Sequence, residues 1–286
     1  MNITGSAKLA GVIGWPIAHS LSPCMHNHWI DAYGIDAAYV PLPVRPQDFA
    51  VVANALKQAG FRGLNVTVPH KEAAFAIADH CDPTAQAAGA ANLLIFTSDG
   101  IEARNTDTYG LAASLRESLG AEIVRGQAAA IWGAGGMARS AILALSGMGA
   151  SEVRILNRNK TRAMNLAAEL APLTSAKLIG TGLDSWKDAV QHVTLLVNAT
   201  SAGMESPSLD LPLDVLPAKA AVFDAVYNPL ETGLLKKAKK LGLTTVDGLG
   251  LLMHQAVPSF AAFYGIEAKV SPALRTLLED ALRNDS

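Results

Sequence analysis

The sequence predicts an α/β protein made of two α/β domains. Short apolar runs alternate with helical patterns along all 286 residues, as expected of largely parallel sheets. A hydrophobic content of 50% lets the chain bury a sizeable core, and its length alone suggests two domains. One apolar run, Ala128-Ala129-Ala130-Ile131-Trp132, passes directly into Gly133-Ala134-Gly135-Gly136-Met137-Ala138. That is a glycine turn between a strand and a helix, the context in which such a turn binds phosphates.

The elements follow in order. Residues 8–15 read as a first strand, and Ser22-Pro23 as an N-cap with proline in the first helical position. Further strands are expected at 37–41, 62–68 and 92–97, with a short apolar helix over 73–78. Asp99-Gly100 is a hairpin turn that returns the chain through 101–105. A helix over 109–119 and a connector over 120–126 lead to a second series beginning at Gln127. Its strands are expected at 128–132, 153–157, 176–180, 194–198, 221–225 and 244–246. Six strands with intervening helices make a complete doubly wound sheet. Residues 249–264 and 272–283 are helical, and helices left over after a full sheet often pack back on the earlier domain. The expected division is therefore 1–106 with 249–286 for one domain and 107–248 for the other. The run Lys236-Lys237-Ala238-Lys239-Lys240 reads as the solvated face of an amphipathic helix.

Composition excludes several classes of function. A net charge of −2 provides no field for nucleic acid or an anionic membrane. Cys24 and Cys81 are too few for a disulfide framework and read as reduced cytosolic thiols. No cationic stretch followed by an apolar one opens the chain, so no signal peptide is expected. Every apolar run is broken well short of the ~18 residues a membrane span needs. A cytoplasmic protein is expected. His26 and His28 lie two apart on a helix and point apart, so no metal site is expected; His70 reads as a packing or surface residue.

The stretch Asn65-Val66-Thr67-Val68-Pro69-His70-Lys71 ends an apolar strand on a lone cation beside a hydroxyl and an amide. Desolvation makes an ammonium a readier proton donor near neutral pH. These seven residues alone do not separate that role from a helix-start lysine standing in water.

Within the glycine turn, Gly133 permits the tight bend, Gly135 lets backbone approach a pyrophosphate, and Ala138 allows close helix–strand packing. The helix N-terminus adds N–H donors and positive potential. A site for NAD would place an acid ~20 residues later to bind the ribose 2′-hydroxyl. This chain has Asn157-Arg158-Asn159-Lys160 there, with Arg162 beyond, cations suited to a 2′-phosphate. NADP is the expected cofactor, though a loop with ordinary surface cations would look the same.

Four other segments carry small hydroxyls, amides and a carboxylate: Ser20-Leu21-Ser22, Asn92, Asn105-Thr106-Asp107, and Asp247-Gly248-Leu249-Gly250 ahead of Gln255. Each alone reads more simply as a cap, a turn or helix filler. Together with Gly14-Trp15-Pro16-Ile17-Ala18-His19-Ser20-Leu21-Ser22-Pro23, Asn65 to Lys71, the glycine turn, Asn198-Ala199-Thr200 and Tyr227-Asn228-Pro229, they resemble the shikimate dehydrogenase family over nearly the whole chain.

That resemblance implies a first domain that binds shikimate with the C-terminal helices packed on it, and a Rossmann NADP domain across a cleft. It assigns the substrate carboxylate to Ser20 and Ser22, with Tyr227 near it, and the ring hydroxyls to Thr67, Lys71, Asn92, Asp107 and Gln255. Lys71 and Asp107 are the implied catalytic pair. The cofactor falls to Gly133, Ala134, Gly135, Gly136, Met137 and Ala138, with Asn157, Arg158, Arg162, Asn198, Thr200 and Gly248. The implied activity is NADP-dependent interconversion of 3-dehydroshikimate and shikimate, on the chorismate route to aromatic amino acids. A quinate/shikimate dehydrogenase with relaxed substrate or cofactor choice is the alternative within the fold, and a non-catalytic nucleotide sensor the alternative outside enzymes. The expected partners are small molecules, with the chain a monomer or a homodimer. Arg104, Leu93 and Gly233 depart from the family's commonest residues; the first two flank proposed site residues, so they bear on substrate preference.

Overall fold

A computed structural model of the chain describes residues 3–202 and 211–284. Its contacts divide into two compact units, one ending at Thr106 and resuming at Gln255, the other running Asp107–His254.

The first unit runs β1 (Lys8–Gly14), α1 (Ser22–Ala32), β2 (Ala37–Pro43), α2 (Phe49–Gln58), β3 (Gly63–Val66) and α3 (Lys71–Ala76). It continues with β4 (His80–Cys81), α4 (Pro83–Ala88), β5 (Leu93–Thr97) and β6 (Gly100–Arg104). Strand order is β2-β1-β3-β5-β6-β4. The expectation of largely parallel sheets holds with one strand excepted: β5 runs antiparallel to β6, as the Asp99-Gly100 hairpin predicts, and also to β3. The cause is local. The turn pairs Thr97 with Gly100, whose φ is +141°, and a connection this short can only join antiparallel strands. Strand β4 was not foreseen, because two residues carry no periodic pattern; backbone bonds from Asp79 N–H to Ile101 O and from Asp82 N–H to Ala103 O define it.

Ser22 also departs from expectation. Leu21 occupies the N-cap position of α1, and Ser22 is its first helical residue. The Ser22 N–H is met instead by Ser20 Oγ at 3.4 Å. The helix expected over 73–78 begins earlier, at Lys71.

The second unit comprises α5 (Asp107–Leu119), β7 (Ala128–Trp132), α6 (Gly136–Gly147), β8 (Glu152–Asn157), α7 (Lys160–Leu170) and β9 (Lys177–Gly182). Then come α8 (Trp186–Val190), β10 (Val193–Asn198), β11 (Ala221–Asp224), α9 (Gly233–Lys240) and β12 (Thr244–Val246). The order β12-β11-β10-β7-β8-β9 is parallel throughout, the doubly wound arrangement in which the first strand sits at the sheet centre. Alternate residues of each strand enter different cores. Ile131, Ile155, Leu195 and Phe223 pack with Leu111 and Leu145, while Trp132, Leu156, Leu196 and Val222 pack with Trp186 and Leu234. On α9, Leu234, Leu235 and Ala238 are buried while Lys236, Lys239 and Lys240 are exposed, as the pattern predicts; Lys237 departs from it, half-buried with its Nζ donating to Leu211 O at 2.6 Å.

Helices α10 (Leu249–Tyr264) and α11 (Pro272–Asn284) complete the chain. A methyl group at Gly63 would stand 2.6 Å from Phe263 Cε1 and against the Leu94 carbonyl, so α10 reaches β3 only because residue 63 has no side chain. Gly63→Ala should therefore lower stability by about 1–3 kcal/mol. A urea midpoint equal to the parent's would refute so close a fit.

His26 lies beneath the same helix. It is 1% exposed, stacks on Tyr39 with centroids 3.9 Å apart, and borders Trp29 and Phe260. Burial lowers its pKa from 6.5 to about 3. The unfolded chain binds that proton near 6.5 and the folded chain only near 3, so stability is complete above 6.5 and is lost as pH falls through that window. The loss should reach up to about 1.4 kcal/mol per pH unit. His26→Phe should flatten the pH dependence of the urea midpoint there; curves parallel to the parent's would exonerate His26.

Candidate active site

Of the expected substrate residues, the first unit holds Ser20, Ser22, Thr67, Lys71, Asn92 and Gln255, and Gln255 is bonded to Asn92, which sits just before β5. The Asn92 N–H donates to Arg104 O at 3.1 Å, and its carbonyl accepts from Val66 N–H at 2.8 Å and Asn65 Nδ2 at 3.2 Å. Its side-chain oxygen accepts from Thr106 N–H at 2.8 Å and Thr106 Oγ1 at 3.2 Å, and its Nδ2 donates to Gln255 Oε1 at 3.4 Å. Thr106 Oγ1 also lies 3.3 Å from Gln255 Oε1. Asn92, Thr106 and Gln255 thus form one buried polar cluster, with every named contact charge-neutral.

Lys71 is the first residue of α3 and is half-buried; its carbonyl accepts from Ala91 N–H at 2.9 Å. The turn before it is locked by His70, whose N–H donates to Thr67 O at 2.9 Å and whose Nε2 lies 2.8 Å from Val44 O. The His70 ring stacks on Phe49 at 4.8 Å. His70 is therefore a packing residue, the first of the two roles its sequence context allowed. Thr67 is half-buried and hangs from β1 through its N–H to Ile13 O at 3.0 Å.

Ser20 and Ser22 both stand at the N-terminus of α1, where backbone N–H groups favour an anion. Arg104 is engaged along its own strand by Glu102 at 2.6 Å. In the second unit, Asp107 opens α5 and is 8% exposed. Tyr227 lies in the loop after β11, and burial raises its phenol.

Three buried residues in this network were missed by sequence reasoning as site parts. Asn65 receives the Tyr39 hydroxyl at 2.8 Å and donates to Ser259 Oγ at 2.7 Å, joining β2, β3 and α10 beneath Asn92. An amide inside the apolar run of β3 was the available signal. Tyr39 and Ser259 carried none, since their partners are 26 and 194 residues away from them in sequence.

The glycine turn suits a dinucleotide. Gly133 has φ +123°, and a methyl group there would meet Ala199 O and Thr200 Cγ2 at 3.0 Å. At Gly135 and Gly136 a methyl would meet nothing within 4 Å, which leaves room for a phosphate against backbone N–H groups. Gly135 is the N-cap of α6 and has no side chain to satisfy those donors. Ala134 and Ala138 are buried, and Met137 is half-buried. No acid stands at the end of β8. Asn157 Nδ2 donates to Asn159 O at 3.0 Å, and Asn159 Oδ1 caps α7 by accepting from Arg162 N–H at 3.1 Å. Arg162 Nε donates to Ala134 O at 2.8 Å, so one expected cation is tied directly to the glycine turn; Arg158 is exposed beside it in sequence. Asn198 ends β10, Thr200 follows it, and Gly248 has no space for a methyl because the Ala225 carbonyl lies against it. These residues fit NADP. Among the described residues, no group of three or more His, Cys, Asp or Glu is placed to hold a metal, and no helix is long and apolar enough to cross a membrane.

Comparison with known proteins shows the family. Residues 12–94 match the shikimate dehydrogenase substrate binding domain, and residues 117–206 match the shikimate / quinate 5-dehydrogenase domain. The shikimate dehydrogenase (NADP(+)) of Paramagnetospirillum magneticum is 45% identical over 282 residues, covering 96% of this chain and 99% of its own. The shikimate 5-dehydrogenase of Listeria monocytogenes, solved with shikimate and NAD, superposes with a TM-score of 0.88 at 28% identity, covering 98% of each chain. That of Thermus thermophilus, solved with NADP(H) and shikimate, gives a TM-score of 0.83 at 32% identity over 98% of this chain and 100% of its own. Identity at this level over nearly the full length of both chains means that the chain belongs to the shikimate dehydrogenase family.

Proposed function

We propose that the chain is an NADP-dependent shikimate dehydrogenase that reversibly reduces 3-dehydroshikimate to shikimate, with Lys71 and Asp107 as its catalytic pair. The reaction class and cofactor follow from the family and from the curated relatives' NADP(+) dependence. One observation carries the assignment of the pair. The backbone of Ala91 holds the Lys71 carbonyl, and the side chain of the next residue, Asn92, holds the N–H of Thr106. The chain segments leading to both proposed groups are thereby tied to two adjacent residues.

Bound NADPH supplies the hydride that reduces the substrate ketone. The oxygen of that ketone gathers negative charge and needs a proton. The Lys71 ammonium is the donor, and Asp107 orients it and accepts from the substrate hydroxyl. Ser20 and Ser22 hold the ring carboxylate at the N-terminus of α1 by hydroxyl donors and helix potential, with Tyr227 near it. Thr67, Asn92 and Gln255 supply the mixed donors and acceptors that a polyol ring requires. Arg158 and Arg162 receive the 2′-phosphate. This reading places the chain in the cytoplasm, on the route to chorismate and the aromatic amino acids.

Lys71→Ala should lower kcat by roughly 10²–10⁴ while NADP+ affinity stays at the parent value. Unchanged turnover would remove Lys71 from the chemistry. Arg158→Ala should raise KM for NADP+ by on the order of tenfold or more, with KM for NAD+ unmoved, because only the former carries the 2′-phosphate. Substrate choice is decided by kcat/KM for shikimate and quinate, each with NADP+ and NAD+; preference for quinate with NAD+ would overturn the assignment.

A further inference from the structure

Asn198 and Thr200 take their positions from a carboxylate that no sequence motif pointed to. Asp224 ends β11 and is 0% exposed. Its Oδ1 accepts from Asn198 Nδ2 at 2.8 Å and from Val226 N–H at 3.1 Å, and its Oδ2 accepts from Thr232 Oγ1 at 2.6 Å. Asn198 Oδ1 in turn accepts from Thr200 N–H at 3.0 Å and from Thr200 Oγ1 at 2.7 Å. Thr232 Oγ1 accepts from Leu235 N–H at 3.3 Å and so caps α9. Thr200 Cγ2 lies 3.0 Å from where a Gly133 methyl would stand, so this chain of bonds ends against the phosphate turn.

The direction of the chain of bonds depends on the charge type at its root. A primary amide can present either its NH2 or its oxygen to a neighbour, and the two orientations differ only by a half-turn. A carboxylate can only accept, so Asp224 forces the Asn198 NH2 towards itself and the Asn198 oxygen towards Thr200. A buried carboxylate is costly unless its lone pairs are met, and here donors from three separate segments meet them. Burial raises the Asp224 carboxyl, against the lowering effects of its bonds to Thr232, Val226 and Asn198.

We infer that Asp224 is a positioning residue for NADP binding: it fixes the orientation of the Asn198 amide, and through it the turn at Thr200 that faces the cofactor beside Gly133. The inference rests on the reading of Asn198 and Thr200 as cofactor-facing residues. It identifies a role for a residue that need touch neither cofactor nor substrate.

The test is NADP+ affinity by fluorescence titration, alongside steady-state kinetics, on four variants and one double variant. Asp224→Asn keeps the shape but lets Asn198 take either orientation. It should weaken NADP+ binding by about tenfold, the effect of one hydrogen bond to a charged group, with KM for shikimate and kcat at saturating NADP+ unmoved. Thr200→Val should weaken NADP+ similarly. The double variant should bind no worse than the weaker single one, because both changes break one chain of bonds. Full additivity, or parent affinity in Asp224→Asn while Thr200→Val weakens, would overturn the role of Asp224 and leave the cofactor site intact. Parent affinity in Thr200→Val would instead overturn the placement of the cofactor, and the inference with it. Should Asp224→Asn fail to fold, the Thr232 pair decides: Thr232→Val should weaken NADP+ and Thr232→Ser should restore it, and parent affinity in both would refute the inference.

Discussion

The substrate side of this protein depends on the pairing of one buried amide, that of Asn92. A primary amide in an apolar setting must have its donors and acceptor met or lose several kcal/mol. Asn92 meets them with Thr106 and Gln255, residues from the end of β6 and from α10 that are far from it in sequence. Satisfying one side chain therefore fixes where the chain leaves the first unit and where the late helix returns to it. Its backbone does the same for β3 and for the Lys71 turn through bonds made at Asn92 and Ala91. The core thus depends on polar groups as much as on apolar ones.

Packing around that cluster is permitted by absences of side chain. Gly63 lets Phe263 of α10 sit on β3, and Gly14 leaves room for Thr67, whose Cγ2 would lie 2.5 Å from an added methyl. His70 is buried, filling space against Phe49 while its ring nitrogen reaches the Val44 carbonyl. The second unit follows the same logic with a charge in place of an amide. Asp224 orders the ends of β10 and β11 and the start of α9, three segments at the carboxyl edge of a parallel sheet. That edge is where doubly wound sheets place their ligands.

Much of this was legible in the residues. The strands of the second unit were readable because fully buried parallel strands are uninterrupted apolar runs, and the glycine turn was readable because its steric demands admit few residues. Arg162 was readable as a cation but not as a ligand of the Ala134 carbonyl, since that bond spans 28 residues. Ser22 was misread as a cap because Ser-Pro satisfies that pattern locally, whereas Ser20 supplies the acceptor. The antiparallel pairing of β5 with β3 and the two-residue β4 escaped because periodicity reports burial and not strand direction.

By itself the sequence determined the alternation of strand and helix, the phosphate turn, the preference for a 2′-phosphate and the kinship of the whole chain. These are properties of neighbouring residues, where propensity, spacing and charge act over a turn or a strand. Only the tertiary structure decided that Asn92 joins Thr106 and Gln255, that Asn65 joins Tyr39 and Ser259, and that Asp224 joins Asn198 and Thr232. Those pairings follow from the requirement that every buried donor and acceptor find a partner, and the partner a buried group finds is set by the packing of distant segments.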